Sequence, residues 1–276
     1  DSGGEERAAD LLEDFFVGLP VSIERITPHP GRTSLVVTVE GADPLSAGTP
    51  LTLLGHTDVV PVDEAKWTRD PFGAQIEDDV MWGRGTVDML HLTAAMAVVT
   101  RQVARRAQAG EPPARSLVFV AAADEEARGG LGVPWIGENR PDAFPWDAAL
   151  SEMGGAHICG RRGGDGVVVV VGEKGAAQRR LHIRGDAGHG SVPLGRTSAV
   201  QRLAQVSAAL SAARWPTATD EVWASFVRAF EFEEATETSL INGTYEGDYS
   251  EFGDLVAFAH AISHVTVAQT VAHSGG

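Results

Sequence analysis

Histidine and carboxylate residues follow the apolar segments of this chain at four places. His-x-Asp ends the apolar run at residues 51–55, and single or paired acids accompany three later apolar runs. Imidazole and carboxylate groups without cysteine suit a hard-to-borderline divalent ion, and zinc fits best. In chain order these residues are His56, Asp58, Asp88, Glu125, Glu126 and Glu152.

Each of these endings has an ordinary explanation when it is taken alone. His-x-Asp is a common triplet at the start of a polar loop, and Asp88 suits the N-cap of the helix that follows it. The three successive acids at 124–126 suit a solvated loop. Four such endings in succession, at one edge of a sheet, are difficult to explain as surface and favour a shared metal site.

The number and type of the ligands allow a two-metal site. Two ions about 3.5–4 Å apart require one bridging carboxylate and separate terminal ligands. Asp88 is well placed to bridge, His56 and Glu152 suit one ion, and Glu126 suits the other.

Two further acids suit supporting roles. Glu125 stands beside a ligand without being needed as one, which suits the general base that takes a proton from the metal-held water. Asp58, two residues from His56, suits a residue that orients the imidazole.

Short apolar runs predict the strands that carry these residues. Residues 51–55 and 116–122 have the length and composition of buried strands, and 147–150 is a shorter one. His56 and Asp58 face the same side because strand residues alternate, and ligands bind in the crevice beyond the strand ends of open α/β sheets. Other expected elements are helices at 8–19, 90–107 and 132–139, strands at 21–26 and 34–40, and a hairpin at 74–82. The helix at 90–107 is apolar almost all round, so we expect it to be deeply buried.

A second, α+β part is predicted after the composition changes near residues 161–166. Alternating and β-branched runs indicate strands, and one-sided apolar spacing indicates helices. The expected strands are 167–171, 177–184 and 265–271, and the expected helices are 198–213, 220–235 and 251–262.

Composition describes an ordinary globular protein and excludes several partners. The 276 residues are 43% hydrophobic and 22% charged, a length that suits two domains. The net charge of −16 and the pI near 4.9 argue against nucleic acid and against an anionic membrane surface. The single Cys159 excludes an internal disulfide framework, and no run reaches membrane-spanning length. No signal peptide is visible, so we expect a cytoplasmic protein.

Several motifs, in their order and spacing, resemble one enzyme family. This is the zinc-dependent aminoacylase, carboxypeptidase and acetylornithine deacetylase family of co-catalytic metallopeptidases. A further stretch is similar to the start of that family's lid, or dimerisation, domain, and together the motifs cover most of residues 1–200. The motifs are GHTDVVP at 55–61, WGRGTVDM at 82–89, DEE at 124–126 and SEMGG at 151–155, with GEKGAAQRRLHIRGDAGHGSVP at 172–193 for the lid.

The resemblance implies an α/β fold of two domains. Residues 1–172 would form a zinc-exopeptidase-like catalytic domain with a mixed central sheet flanked by helices. Residues 173–276 would form part of an inserted α+β, ferredoxin-like lid or dimerisation domain. A cis peptide is implied between Asp88 and Met89.

The resemblance also implies residue roles. His189, in the lid, would reach across a dimer and stabilise the oxyanion in the other subunit's site, although a loop histidine beside glycines is the simpler explanation of that residue. The remaining roles are His56 and Glu152 on one zinc, Glu126 on the other, Asp88 as the bridge, Glu125 as base and then acid, and Asp58 as support for His56.

The sequence departs from the family pattern in two respects. Leu90 and His91 stand where the family has Lys-Gly. The family chain also returns from the lid to supply a last histidine ligand to the second zinc, whereas these residues end at Gly276. The later histidines do not match that context, so we expect both domains to be incomplete here; they are His260, His264 and His273.

The favoured function is therefore metal-dependent hydrolysis of a small amide or peptide bond. The substrate class would be an N-acyl amino acid or a dipeptide, cleaved by a homodimer formed through the lid. Two zinc ions per full-length subunit are implied, for which cobalt or manganese can substitute. The alternative is a non-catalytic dimerising or ligand-binding relative with an incomplete metal site; a single-domain zinc aminopeptidase is disfavoured by the lid sequence.

Overall fold

The computed structural model describes residues 4–43 and 48–273, which form two compact units. The first unit spans Asp1–Glu152 and the second spans Met153–Gly276. The boundary drawn at 172–173 rests on family resemblance rather than on compactness, and it stays a prediction.

The first unit is an α/β structure built on a mixed five-stranded sheet. Its elements are α1 (Glu5–Phe16), β1 (Ser22–His29), β2 (Arg32–Val39), β3 (Leu51–His56), β4 (Gln75–Glu77), β5 (Val80–Trp82), α2 (Leu90–Gln108), β6 (Leu117–Ala122), α3 (Val133–Asn139) and β7 (Ala149–Leu150). The sheet order is β1-β2-β6-β3-β7, and β4 and β5 form a separate hairpin.

Alternation along the strands divides the core of this unit into two layers. Leu35 and Val37 of β2 pack with Phe119 of β6 on the face covered by α1 and α2. Val36 and Val120, one residue away on the same strands, pack with α3 on the opposite face. All six residues of β6 are buried, as expected of a central strand covered on both faces.

Parallel pairing brings three strand ends to one edge of the sheet. β3 runs parallel to both β6 and β7, and His56 pairs in register with Ala122. The predicted strands at 51–55 and 116–122 are therefore confirmed, whereas the one predicted at 147–150 covers only Ala149–Leu150. The acids that follow these strands leave the sheet at the same edge.

Helix α2 buries only one face. Its buried residues recur every three or four positions and are Thr93, Ala97, Thr100 and Ala104. Val98 and Val99, on the other face, are 44% and 47% exposed. The prediction that this helix is buried almost all round is wrong, because small side chains line the close contact with the sheet while the larger valines face outward.

The second unit contains one short β-ribbon and four α-helices within the residues described. These are β8 (His157–Cys159), β9 (Asp165–Val167), α4 (Ala199–Ala212), α5 (Glu221–Ala229), α6 (Glu234–Ile241) and α7 (Val256–Ser263). Its core is an aromatic cluster that includes Trp223, Phe232 and Phe252. None of the helices in residues 4–43 and 48–273 combines the length and the apolar character needed to cross a bilayer.

The second unit corrects several expected elements. Residues 177–184 and 265–271 form no strands, because alternation alone provides no partner for the backbone hydrogen bonds, and both segments are almost wholly exposed. The strand expected at 167–171 ends at Val167, in β9. The ferredoxin-like arrangement of the lid therefore stays a prediction.

The helix expected at 220–235 is two helices. Phe230 and Phe232 are both buried in the aromatic cluster, and residues two apart on a helix do not face the same side. The chain breaks between them at Glu231, which takes a left-handed φ of 54°.

The close contact between β3 and α2 gives a first prediction. A Cβ at Gly55 would lie 2.6 Å from Oγ1 of Thr93 and 3.2 Å from the terminal methyl group of Met89. We expect Gly55→Ala to lower the free energy of unfolding by about 1–3 kcal/mol, because the extra methyl group overpacks the core. Chemical denaturation measures the change.

Gly130→Ala is the matched control, because a Cβ at Gly130 meets nothing within 4 Å. Equal stability of the two alanine variants would contradict the close approach of β3 and α2.

Candidate metal centre

His56 is held at the end of β3 by the first turn of α2. Its backbone N–H donates to Sδ of Met89 at 3.3 Å, and its carbonyl oxygen accepts a hydrogen bond from Oγ1 of Thr93 at 2.8 Å. The His56 side chain is only 3% exposed. The imidazole therefore projects from a backbone that is fixed on both of its polar groups.

The two nitrogens of the His56 ring have different surroundings. Nδ1 lies 2.9 Å from the carbonyl oxygen of Asp58, which makes Nδ1 the hydrogen-bond donor of the neutral ring. Nε2 faces carboxylate oxygens, with Asp88 at 3.1 Å, Glu152 at 3.5 Å and Glu125 at 3.8 Å. The neutral ring thus directs its lone pair towards the acids, as a metal-binding histidine does.

His56, Asp88 and Glu152 form a group that suits a metal ion. One ligand atom from each of these residues lies within 4.8 Å of the others. The imidazole is buried, whereas 60% of the Asp88 side chain is exposed. The group thus combines a fixed nitrogen ligand with carboxylates that are open to solvent.

Asp58 connects His56 to the loop that bears the paired glutamates. Its carboxylate accepts the backbone N–H of Glu125 at 3.1 Å and of Glu126 at 2.9 Å. Oδ1 lies 3.6 Å from Nδ1 of His56, so the ring's hydrogen bond goes to the Asp58 carbonyl instead. Sequence reasoning suggested contact with the histidine but missed that the Asp58 carboxylate fixes the glutamate backbone.

Asp88 lies two residues before the first residue of α2 and does not cap the helix. The N-cap residue is Met89, and no side chain provides the cap hydrogen bond. The N-cap explanation for Asp88 is therefore wrong. The peptide bond between Asp88 and Met89 is cis, so that prediction is confirmed.

Glu126 supplies a direct test of whether a metal ion fits. Its Oε1 is buried and has no hydrogen-bond partner among the residues described. A buried carboxylate oxygen without a donor is costly unless a cation neutralises it. The donor set of one imidazole and several carboxylates matches the ligand preferences of zinc and related divalent ions.

The electrostatics of the site also favour a cation. Burial raises the pKa of Glu125, Glu126 and Glu152, and neighbouring acids raise each further while His56 opposes the shift. Burial likewise raises the pKa of Asp58. Burial lowers the pKa of His56, but the Asp58 carbonyl and the surrounding carboxylates raise it overall. Full ionisation of these acids is thus disfavoured unless a cation is present.

His189 belongs to the second compact unit and is exposed. Its Nδ1 lies 2.7 Å from Oγ of Ser191, and the Ser191 N–H donates to the same nitrogen at 3.3 Å. The role of His189 in another subunit's site stays a prediction. The structure adds the contacts of Met89 and Thr93 with the His56 backbone, which no specific signal in the sequence predicted.

Comparison with known proteins identifies relatives of this chain. The profile of one family, described as peptidase family M20/M25/M40, matches residues 52–267. The chain is 31% identical over 185 residues to a succinyl-diaminopimelate desuccinylase of Cereibacter sphaeroides, covering 65% of the chain and 45% of the relative. It is 35% identical over 176 residues to a protein of the same name from Xanthomonas oryzae pv. oryzae, covering 61% and 44%. The chain thus spans less than half the length of these relatives.

A solved structure shares the fold. An M20 family metallo-carboxypeptidase from Sulfolobus solfataricus aligns with a TM-score of 0.54 at 17% identity. The alignment covers 98% of this chain and 62% of the other protein. At this level of identity the match supports the architecture alone.

The site predicts stabilisation by metal ions. We expect a saturating concentration of a divalent ion, tested as Zn²⁺, to raise the melting temperature. An ion that binds only the folded chain, at a concentration 100 times its Kd, raises the free energy of unfolding by about 2.7 kcal/mol. The rise should be smaller at pH 5.5 than at pH 7.5, because protons compete with the ion for His56 and for carboxyl groups whose pKa is raised. Scanning calorimetry measures both effects.

Glu152→Gln should reduce the stabilisation by Zn²⁺. Glu138→Gln, which changes an exposed glutamate of α3, should leave it unchanged. If Zn²⁺ raised the melting temperature equally in the wild type and in both variants, the ion would not be bound by Glu152.

Proposed function

Because the chain belongs to peptidase family M20/M25/M40, we propose that it acts in a metal-dependent hydrolase of small amide or peptide bonds. Family membership confirms the resemblance drawn from the motifs. The convergence of Asp88 and Glu152 on Nε2 of His56 is the observation that carries the proposal. The names of the desuccinylase relatives favour an N-acyl amino acid as substrate, with a dipeptide as the second choice.

We assign the ligands as follows. His56 and Glu152 would hold one ion, Glu126 would hold a second, and Asp88 would be the bridging ligand, with zinc as the ion in the full-length subunit. Cobalt or manganese can replace zinc, because imidazole and carboxylate ligands accept all three ions. When bound, such ions supply a Lewis acid and lower the pKa of water so that it becomes a nucleophile at neutral pH.

Glu125 is the proposed general base and then general acid. Its Oε2 lies 3.8 Å from Nε2 of His56, within the space on which the ligands converge. The Asp58 carboxylate holds the Glu125 backbone N–H, which orients the side chain towards that space. Glu125 takes a proton from the attacking water and delivers it to the leaving amine, so that one residue serves both halves of the reaction.

The lid assignments extend the proposal beyond the first unit. His189 would stabilise the oxyanion in a second subunit, and the second unit would provide the dimer interface in a cytoplasmic enzyme. The exposure of His189 and its short hydrogen-bonded turn with Ser191 are compatible with that role.

A non-catalytic, ligand-binding relative is the second candidate. Glu126 has a buried oxygen without a hydrogen-bond partner among the described residues, and it is not part of the group formed by His56, Asp88 and Glu152. A protein of this kind would bind a metal ion without turning over any substrate of the proposed classes.

Substitution of Glu125 tests the catalytic assignment. We expect Glu125→Gln to lower kcat by about 10²–10⁴-fold while metal content is unchanged, because the amide cannot accept the proton. The assay uses the full-length gene product with N-acetyl and N-succinyl amino acids and dipeptides, and elemental analysis measures the metal.

Glu138→Gln serves again as the control and should keep wild-type activity. Unchanged turnover in Glu125→Gln would remove Glu125 as the base. Metal binding by the wild type without hydrolysis of any substrate in the panel would support the non-catalytic candidate.

A further inference from the structure

A largely buried arginine, Arg32, pairs with the loop that carries Glu125 and Glu126. Arg32 begins β2, and only 14% of its side chain is exposed. Its Nη1 donates a hydrogen bond to Oε1 of Glu5, and its Nε lies 3.4 Å from Oδ1 of Asp124. The side chains of Glu5 and Asp124 are 3% and 6% exposed, so the three charges form a buried triad.

Asp124 shapes the loop from which the paired glutamates project. Its Oδ2 accepts the backbone N–H of Leu131 at 2.8 Å, and its carbonyl accepts that of Gly129 at 2.5 Å. Its φ of 66° is left-handed, a conformation that a residue other than glycine keeps only when its surroundings hold it. Asp124 therefore closes the loop and sets the direction in which Glu125 leaves it.

A second residue of β2, Ser34, also binds the backbone of the loop that carries the glutamates. Ser34, two residues after Arg32 along the strand, accepts the backbone N–H of Ala123 at 3.0 Å. Asp58 holds two further backbone N–H groups, those of Glu125 and Glu126. The backbone from Ala123 onward is thus fixed by side chains from β2 and from the loop after β3.

Stability alone gives a weak reason for this triad. Burying ionised groups is costly, and apolar groups of similar volume often stabilise a fold equally well. Without Arg32, however, Asp124 would be a buried carboxylate lacking a counter-charge beside two further acids. The loop would move to relieve that charge, and the movement would displace Glu125 and Glu126.

We propose that Arg32 is a positioning residue for the metal centre. Acting through Asp124, it fixes the backbone that presents Glu125 and Glu126. This inference rests on the proposed function, in which Glu126 is a metal ligand and Glu125 is the base. Arg32 pairs with Glu5 and Asp124 and acts on the site only through the loop.

Metal binding and the Co²⁺ spectrum test the proposal in the full-length gene product. We expect Arg32→Met to weaken the binding of the ion held by Glu126 about 10–100-fold, the usual effect of losing a group that supports a ligand. Titration calorimetry with Zn²⁺, well below the melting temperature, measures the affinity, and visible absorption of the Co²⁺ form reports ligand geometry. In the steady state, kcat should fall more than KM rises.

Arg140→Met is the matched control. Arg140 also pairs with two acids, Glu24 and Asp142, but at the protein surface. The control should bind Zn²⁺ as the wild type does and give the same Co²⁺ spectrum. Arg32→Lys keeps the charge and should recover part of the lost affinity.

Two results would overturn the proposal in distinguishable ways. If Arg32→Met melts at a lower temperature but keeps wild-type affinity and spectrum, Arg32 stabilises the fold only, and the proposed function stands. If the wild type binds no ion, the proposed function fails and this inference fails with it. Should Arg32→Met not fold, Arg32→Lys and the double variant Glu5→Gln/Arg32→Met answer the same question by the same measurements.

Discussion

Electrostatic repulsion among the acids around His56 is the constraint on which this structure depends. Burial raises the pKa of the carboxyl groups of Glu125, Glu126 and Glu152, and neighbouring acids raise it further. The fold nevertheless brings oxygens of Asp88, Glu125 and Glu152 to 3.1, 3.8 and 3.5 Å from Nε2 of His56. Charges of one sign that share a site cannot all ionise without a cation. A bound divalent ion would convert this repulsion into coordination, which gives the unpartnered oxygen of Glu126 a purpose.

The sheet topology explains how residues so far apart in sequence meet. Parallel pairing of β3 with β6 and β7 places three strand ends at one edge. The first turn of α2 then fixes the His56 backbone through Met89 and Thr93. Local hydrogen bonds from Asp58 and Asp124 complete the site, because a ligand must be held to within a few tenths of an ångström to bind a metal ion well.

The sequence predicted the strands of the first unit and the meeting of His56, Asp88 and Glu152, because polar groups at the ends of uncharged, strand-length runs leave few other arrangements. It did not predict the carboxylate of Asp58 on the glutamate backbone, nor Arg32 behind Asp124. Both contacts depend on loop conformation, which apolar periodicity does not encode. The predicted strands at 177–184 and 265–271 did not form, because a strand also requires a partner. The apolar spacing at 220–235 did not predict that the helix breaks at Glu231, because the break follows from the packing of Phe230 and Phe232.

Diffraction measured at the zinc absorption edge tests the central claim most directly. Crystals grown with Zn²⁺ should show an anomalous peak within bonding distance of Nε2 of His56 and of carboxylate oxygens of Asp88 and Glu152, at about 2.0–2.2 Å. Occupied zinc elsewhere on the chain, with no peak between these three residues, would contradict the account.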